Sequence, residues 1–406
     1  MSTVLVVGSG QAGFQAAASL RDKGFDGRVV LVGDEPGVPY QRPPLSKAYL
    51  VGTAGADKLH LRPEDFFENS EIELVNGRVG TIDRENAQAV LDDGTHIGYD
   101  HLILATGSQN RRLPVPGADL KGVLTLRTRV DADLLRTALE AAENVVVIGG
   151  GFIGLEFAAH AGRPVTVVEA QDRLMARVVT PEISAHFARI HEAAGTILRL
   201  GQGVTALHGS GGQVETVELT DGTRLPADLV VVGVGVIPDT ALAEAAGLAV
   251  ENGVVVDDQL RTSDPAVSAI GDCANFPCAH ARGATRLESV QNAVDQARFV
   301  AARIAGEDVP YNPVPWFWTD QLGVKLQIAG IGTGHDKTAF FGDPAEGKFS
   351  VLSFMDDVLI AVESVSRPGD HIAARRLLAQ AKAPTFDELR ASGFDLKEHV
   401  KSQATV

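Results

Sequence analysis

The chain reads as an α/β protein with two doubly wound, Rossmann-like nucleotide-binding domains and a C-terminal α+β domain, and three observations predict it. Strand, glycine turn and helix follow one another over residues 4–20. The same order returns over residues 145–161. From Pro310 the pattern changes: Trp316-Phe317-Trp318 holds both tryptophans, and strand-like runs at 324–328, 349–354 and 358–362 precede a polar helical tail.

The first unit opens on VLVVGSGQAG. Four apolar residues, 4–7, predict a strand buried on both faces. Gly8-Ser9-Gly10-Gln11-Ala12-Gly13 follows, then an Ala-rich helix over 14–20. A dinucleotide pyrophosphate needs that order. Gly8 permits the tight turn, Gly10 lets the backbone approach the phosphates, and Gly13 lets helix and strand pack closely. RVVLV at 28–32 is the second strand. Asp34, 26 residues after Gly8, either meets an adenosine ribose or closes a turn before Pro36. In the stretch Tyr40 to Lys47, Pro43 and Pro44 are expected to hold the backbone extended. Arg42 and Lys47 are then fixed as contacts to a pyrophosphate and a flavin ring, or are solvated loop charges. Residues 71–104 read as short strands with a hairpin at Asp93-Gly94. The run HLILA, 101–105, meets Thr106-Gly107 and returns the chain beneath the same ligand.

In the second unit, apolar residues 145–148 lead into Gly149-Gly150-Gly151-Phe152-Ile153-Gly154, a helix opens at 155–161, and a strand over 165–168 closes on Glu169. Glu169 lies 20 residues after Gly149, the spacing of a ribose carboxylate. No Arg or Lys immediately follows it, which favours NADH over NADPH. Two such units in one chain allow one nucleotide to be held while another delivers electrons. Further on, 214–219 with Asp221-Gly222 reads as a hairpin and 228–234 as a buried strand. At Gly271-Asp272 a carboxylate ends another strand, where it accepts from a ribityl hydroxyl, caps the helix expected over 289–305, or does both.

Length and composition bound the reading. The 406 residues exceed one ordinary domain, and 45% hydrophobic with 22% charged residues suits large buried cores. A net charge of −16 argues against nucleic acid and anionic membrane as general partners. The two cysteines exclude a disulfide framework. The chain enters a strand within three residues, and no apolar run approaches the roughly 20 residues of a membrane span. A cytoplasmic protein is expected. The 11 histidines are scattered, so no metal site is expected.

VGSGQAG, PYQRPPLSKAYL, ATG, VIGGGFIGLE with VVE, AIGDCA and PWFWTDQ together resemble the oxygenase-coupled, FAD-dependent NADH–ferredoxin reductases of the glutathione-reductase superfamily. The resemblance spans nearly the whole chain, in the family's order. It implies a discontinuous FAD domain over 1–108 and 241–309, an NAD domain over 109–240 and a C-terminal domain over 310–406. It places FAD on Ala12, Asp34, Arg42, Lys47, Val79, Thr106, Arg127, Asp272 and Val290, with Arg127 and Val290 resting on the resemblance alone. NADH would lie along Gly151, Ile153, Gly154 and Glu169. A Lys47–Glu156 pair would hold an ammonium against the reactive edge of the flavin, where it stabilises developing negative charge. Trp316 would shield the ring from water.

The activity implied is transfer of electrons from NADH through FAD, one at a time, to a [2Fe–2S] ferredoxin serving a cytochrome P450 or a Rieske-type oxygenase. An acidic ferredoxin would need a local basic patch, for which Lys58, Arg62, Arg303, Lys325, Arg375 and Arg376 are candidates. Reduction of small acceptors, of the monodehydroascorbate or quinone type, is the alternative. A disulfide reductase is disfavoured, because residues 1–272 contain no cysteine. Cys273 and Cys278 read as buried hydrophobes, Cys278 in an ordinary loop. A structural or signalling role like that of apoptosis-inducing factor is disfavoured by charge and length. One departure stands out. Relatives carry about three more residues between Glu156 and Glu169, close to one helical turn. The helix after Gly154 should therefore be short and end abruptly at Gly162-Arg163-Pro164.

Overall fold

The computed structural model describes residues 2–307 and 311–403. The domain break expected at Pro310 lies outside the described residues. The chain divides into two compact units. The first comprises Met1–Gln41, Ala56–Gln109 and Ile237–Pro315; the second comprises Arg42–Gly55, Asn110–Val236 and Trp316–Val406.

In the first unit the Thr3–Val7 strand is central to a five-stranded parallel sheet. Arg28–Gly33 and then Ile72–Asn76 lie on one side of it, His101–Leu104 and then Val267–Ala269 on the other. Val4, Leu5 and Val6 are fully buried, as a strand covered on both faces must be. Helix Gln11–Asp22 packs against helix Val290–Ile304, and small alanines on the first helix let the two approach. The side chain of Ser289 accepts from Asn292 N and caps the second of these helices. Asp272 therefore does not cap it: it sits in a short 3-10 turn, Gly271–Cys273, 17 residues before Ser289. A three-stranded antiparallel sheet, Val79–Asp83, Gln88–Leu91 and His96–Gly98, carries the hairpin at Asp93-Gly94. Cys278 is not in a loop but ends the Ala274–Cys278 strand, paired with Gly283–Thr285. The alternation of Phe276 and Cys278 facing inward is too short a pattern to read from residue order alone.

The second unit repeats the parallel design. Val145–Ile148 is flanked by Val165–Glu169 and Ile197–Leu200 on one side, and by Leu229–Val232 and Val123–Thr125 on the other. Helix Phe152–His160 has only nine residues, against twelve in Gln11–Asp22. Gly162, at φ +68°, turns the chain out of it, and the next strand begins at Val165. Two prolines do not hold residues 43–46 extended. Pro43–Ser46 is a 3-10 turn with proline at its start, and Arg42 is helical at φ −80°, ψ −30°. A proline φ suits the first positions of a helical turn as well as an extended chain, and here Lys47 N and Tyr49 N both donate to Pro44 O.

The C-terminal part of this unit is a five-stranded antiparallel sheet in the order Trp316–Gln321, Val324–Gly330, Val358–Val365, Lys348–Met355, Lys337–Asp343. Trp316–Gln321 and Lys337–Asp343 were not among the strands expected from residue order. Helix Pro368–Leu378 packs on the sheet and is followed by Phe386–Ala391 and Leu396–Gln403.

Glu363 faces the N-terminus of helix Pro181–Ala193. Thr180 N donates to its two carboxyl oxygens at 3.0 and 3.2 Å, and Thr180 Oγ1 donates to Oε2 at 2.5 Å. Burial pushes this carboxyl up to about 7, against the downward pull of the Thr180 hydrogen bonds. Glu182 adds to the rise and Arg173 opposes it. A carboxyl raised in the folded state favours folding most below its ordinary value near 4.5 and loses that contribution as pH climbs through about 7. Relative to Glu363→Gln, the wild type is therefore expected to lose up to about 3 kcal/mol over that interval. Urea midpoints of the two proteins across the range check this, and parallel pH curves would refute it.

Candidate functional site

Both glycine turns have the same physical construction. In the first unit Gly8 has φ +107°, and a Cβ there would lie 2.2 Å from Ala105 O. A Cβ on Gly13 would lie 1.8 Å from Gly8 O, so helix and turn touch through backbone alone. Gly10 differs: a Cβ there would meet nothing within 4 Å. It is the N-cap of helix Gln11–Asp22 and supplies no capping side chain, so the first N–H groups of the helix have no side-chain cap. In the second unit Gly149 has φ +111° with Gly233 O at 2.4 Å from its would-be Cβ, and Gly154 would meet Gly149 O at 2.3 Å. Gly151 meets nothing and caps helix Phe152–His160 without a side chain. Uncapped donors at a bare glycine fit an anion, and two such cradles fit the pyrophosphates of FAD and NADH.

Around the first cradle, Ala12 lies against Gly271, whose would-be Cβ is 3.1 Å from Ala12 Cβ. Gly271 N donates to Gln296 Oε1 at 2.7 Å. Asp272 Oδ2 accepts from Ser108 Oγ at 2.9 Å. Thr106 Oγ1 donates to Asp239 O at 2.6 Å, and Gly107 follows at φ +72°. Asp34 is exposed, just past the end of strand Arg28–Gly33. Val79 opens its strand, buried, and Val290 is the first residue of its helix.

In the second unit Glu169 ends its strand beside the turn. Its Oε2 accepts from Gly150 N at 2.7 Å and its Oε1 from Gln171 N at 2.8 Å. Each oxygen keeps a further acceptor position for a hydroxyl. Arg173, the first cation after it, is engaged elsewhere: its guanidinium donates to Ala176 O and Val179 O, both at 2.8 Å. Ile153, on the first turn of the short helix, is exposed.

Two more groupings lie in the same unit. Arg42 Nη1 donates to Arg127 O at 2.6 Å, and Arg127 N donates to Asp131 Oδ2 at 2.9 Å in the capping box of helix Arg129–Ala141. Lys47 Nζ lies 2.5 Å from Glu156 Oε2, with the lysine side chain 19% and the glutamate 9% exposed. Residue order alone did not indicate the rest of the Glu156 environment. Ser46 Oγ donates to Oε2 at 2.8 Å, and Thr319 Oγ1 donates to Oε1 at 2.7 Å. Thr319 alternates with Gln321 on strand Trp316–Gln321, and both polar side chains are fully buried. The same alternation sets Trp316 on the other face. Its ring lies 5.4 Å from Trp318 and 5.2 Å from His371, with the Arg375 guanidinium 4.9 Å over it.

Of the basic-patch candidates, Lys58, Arg62, Lys325 and Arg376 are exposed. Arg375 is half-buried on Trp316, and Arg303 donates to Ser268 Oγ at 2.5 Å. Both cysteines are free and buried, and burial pushes both thiols up, away from thiolate reactivity. Among the described residues no three His, Cys, Asp or Glu side chains are grouped for a metal ion, and no helix is long and apolar enough to cross a membrane.

Two parallel sheets, each with its own glycine cradle, and a C-terminal antiparallel sheet define a two-nucleotide oxidoreductase. The chain belongs to the pyridine nucleotide-disulphide oxidoreductase family, which matches residues 2–297, with a reductase C-terminal domain matching residues 316–400. Within that family it is similar to rhodocoxin reductase of Rhodococcus erythropolis, 49% identical over 399 residues that cover 97% of this chain and 93% of the relative. Among solved structures it is similar to the ferredoxin reductase for the CYP199A2 system from Rhodopseudomonas palustris. That likeness has a TM-score of 0.95 and 50% identity, covering 98% of this chain and 99% of the other. It is also similar to the covalent putidaredoxin reductase–putidaredoxin complex, with a TM-score of 0.94 and 39% identity, covering 99% and 98%.

Proposed function

We propose that this chain is an FAD-dependent NADH reductase that passes electrons to a [2Fe–2S] ferredoxin, which serves a cytochrome P450 or a Rieske-type oxygenase. The observation that carries the reading is the pair of bare-glycine cradles in one chain whose relatives are ferredoxin reductases. When bound, FAD accepts an electron pair from NADH and releases single electrons. The protein's residues bind and orient. Gly8, Gly10 and Gly13 shape the FAD turn, and Ala12, Asp34, Val79, Thr106, Gly107, Gly271, Asp272 and Val290 belong to the same site. Arg42 and Arg127 are assigned to FAD by the family pattern. Gly149, Gly151, Ile153 and Gly154 receive NADH, and Glu169 accepts from its ribose. Arg173, the first cation after Glu169, is committed to backbone carbonyls, which favours NADH over NADPH. Lys47 holds a positive charge where negative charge develops, with Glu156 fixing the ammonium. Trp316 covers the ring.

The domain division follows the same reading: FAD over 1–108 and 241–309, NAD over 109–240, and a C-terminal domain over 310–406, in a cytoplasmic protein. Lys325, Arg375 and Arg376 supply a local basic surface for an acidic ferredoxin on a chain whose net charge is −16.

Stopped-flow reduction tests the proposal. NADH is expected to bleach the yellow protein far faster than NADPH, and a [2Fe–2S] ferredoxin added next should reoxidise it. Slow bleaching by NADH overturns the cofactor assignment. Failure with every ferredoxin, together with fast turnover of quinones, makes the chain a small-acceptor reductase.

A further inference from the structure

Behind Glu156 runs a line of buried polar side chains that the proposed function does not use. Thr319 and Gln321 are fully buried on strand Trp316–Gln321, and His191 is fully buried on helix Pro181–Ala193. Thr319 Oγ1 is 2.7 Å from Glu156 Oε1, and Gln321 Nε2 is 3.1 Å from Thr319 Oγ1. Gln321 Oε1 is 2.9 Å from His191 Nε2, and His191 Nδ1 is 3.4 Å from Thr196 Oγ1. A buried polar group is retained where a partner satisfies it, and here each member satisfies the next.

Chemistry fixes the direction of every hydrogen in this line. The Glu156 carboxylate, paired with Lys47, only accepts, so the single Thr319 hydroxyl hydrogen goes to it. The Thr319 oxygen is then left to accept, which turns the Gln321 amide nitrogen toward it and the amide oxygen toward His191. That oxygen needs a donor, so His191 carries its proton on Nε2. Burial holds the ring below its ordinary range, and it is neutral, with Nδ1 accepting the Thr196 hydroxyl. Its polar neighbours, Gln321 and Thr196, are both uncharged. All the hydrogens therefore point one way, from Thr196 to Glu156.

We infer that Thr319, Gln321 and His191 are positioning residues for the Lys47–Glu156 pair: a one-way run of donors pins Oε1 of Glu156 and leaves Oε2 to Ser46 and Lys47. The inference rests on the role proposed for that pair. It places strand Trp316–Gln321 in the reaction through hydrogen-bond direction, since the polar contacts of Lys47 are to Pro43 O and Glu156 and not to any of the three. Without the run, Glu156 keeps its attraction to Lys47 but loses the fixed angle at which it holds the ammonium.

Two substitutions at Thr319 separate positioning from packing. Thr319→Val keeps the volume and removes the donor; Thr319→Ser removes a methyl and keeps the donor. If the run positions Glu156, Thr319→Ser reduces its flavin with NADH at close to the wild-type limiting rate. Thr319→Val falls roughly tenfold, with the affinity for NADH unchanged. A packing role predicts the reverse order, and that order, or equal rates, overturns the inference. A second readout is independent of turnover. In 15N-histidine-labelled holoprotein, the His191 signal, identified by its loss in His191→Gln, is expected to show a neutral ring protonated on Nε2. In Gln321→Glu the carboxylate replaces an amide donor, and both His191 nitrogens should appear protonated near neutral pH. A wild-type ring protonated on Nδ1 also overturns the inference. Wild-type reduction by Lys47→Met would instead remove the role of the pair itself. Slow Lys47→Met with fast Thr319→Val would remove the donor run alone.

Discussion

Lys47→Met is expected to lower the limiting rate of flavin reduction by NADH about a hundredfold, the usual effect of deleting one charge-stabilising donor. It should also destabilise the protein, because Glu156 would remain 7% exposed with no cation. Breaking a buried ion pair from one side costs about 3–5 kcal/mol, much of it the stranded charge. Ser46 and Thr319 still donate to that charge, which sets the expectation at the lower end. The double variant Lys47→Met with Glu156→Leu should recover most of the stability and none of the rate. Stopped-flow reduction and urea unfolding of the three proteins measure the two effects. A double variant as unstable as Lys47→Met would show that the pair matters for packing, not for charge.

Alanine at the two helix glycines should separate the two nucleotides. In an ordinary helix Gly→Ala gains up to about 1 kcal/mol. Here the sign reverses, because the new Cβ meets a backbone oxygen at 1.8 Å in Gly13→Ala and at 2.3 Å in Gly154→Ala. Gly13→Ala is expected to purify without yellow colour. Gly154→Ala is expected to stay yellow and respond to dithionite but not to NADH. Gly10→Ala is the control: its Cβ has open space within 4 Å, so the chain should fold with undiminished stability while its affinity for FAD falls. Absorbance ratios after gel filtration and unfolding midpoints read these outcomes. Normal FAD content in Gly13→Ala would show that the turn can open.

The contrast among these glycines explains how much could be read from residue order. Strand, turn and helix in each cradle are set within about twenty residues, by apolar runs and glycine spacing. That helix Phe152–His160 is short was expected from the resemblance, whose members carry about three more residues there; Gly162-Arg163-Pro164 marks its stop, while its start at Phe152 lies three residues before the expected one. Pro43-Pro44 was misread because a proline φ serves both an extended chain and the start of a helical turn, and only the hydrogen bonds to Pro44 O choose between them. Of the two readings open for Asp272, the cap falls away because Ser289 performs it, and a cap depends on where the helix begins.

Residue order was enough to specify two nucleotide-binding sheets and the family, because their instructions are short-range and written in glycine and apolar spacing. It could not specify what surrounds Glu156. Ser46 is 110 residues away and Thr319 is 163, and no periodicity links them. Their meeting depends on the packing of a 3-10 turn and an edge strand against the short helix. The direction of the hydrogens follows from which acceptor each donor meets there. Such partners are selected by non-local packing and strand register, so the folded chain alone decides that the lysine–glutamate pair has a buried line of donors behind it.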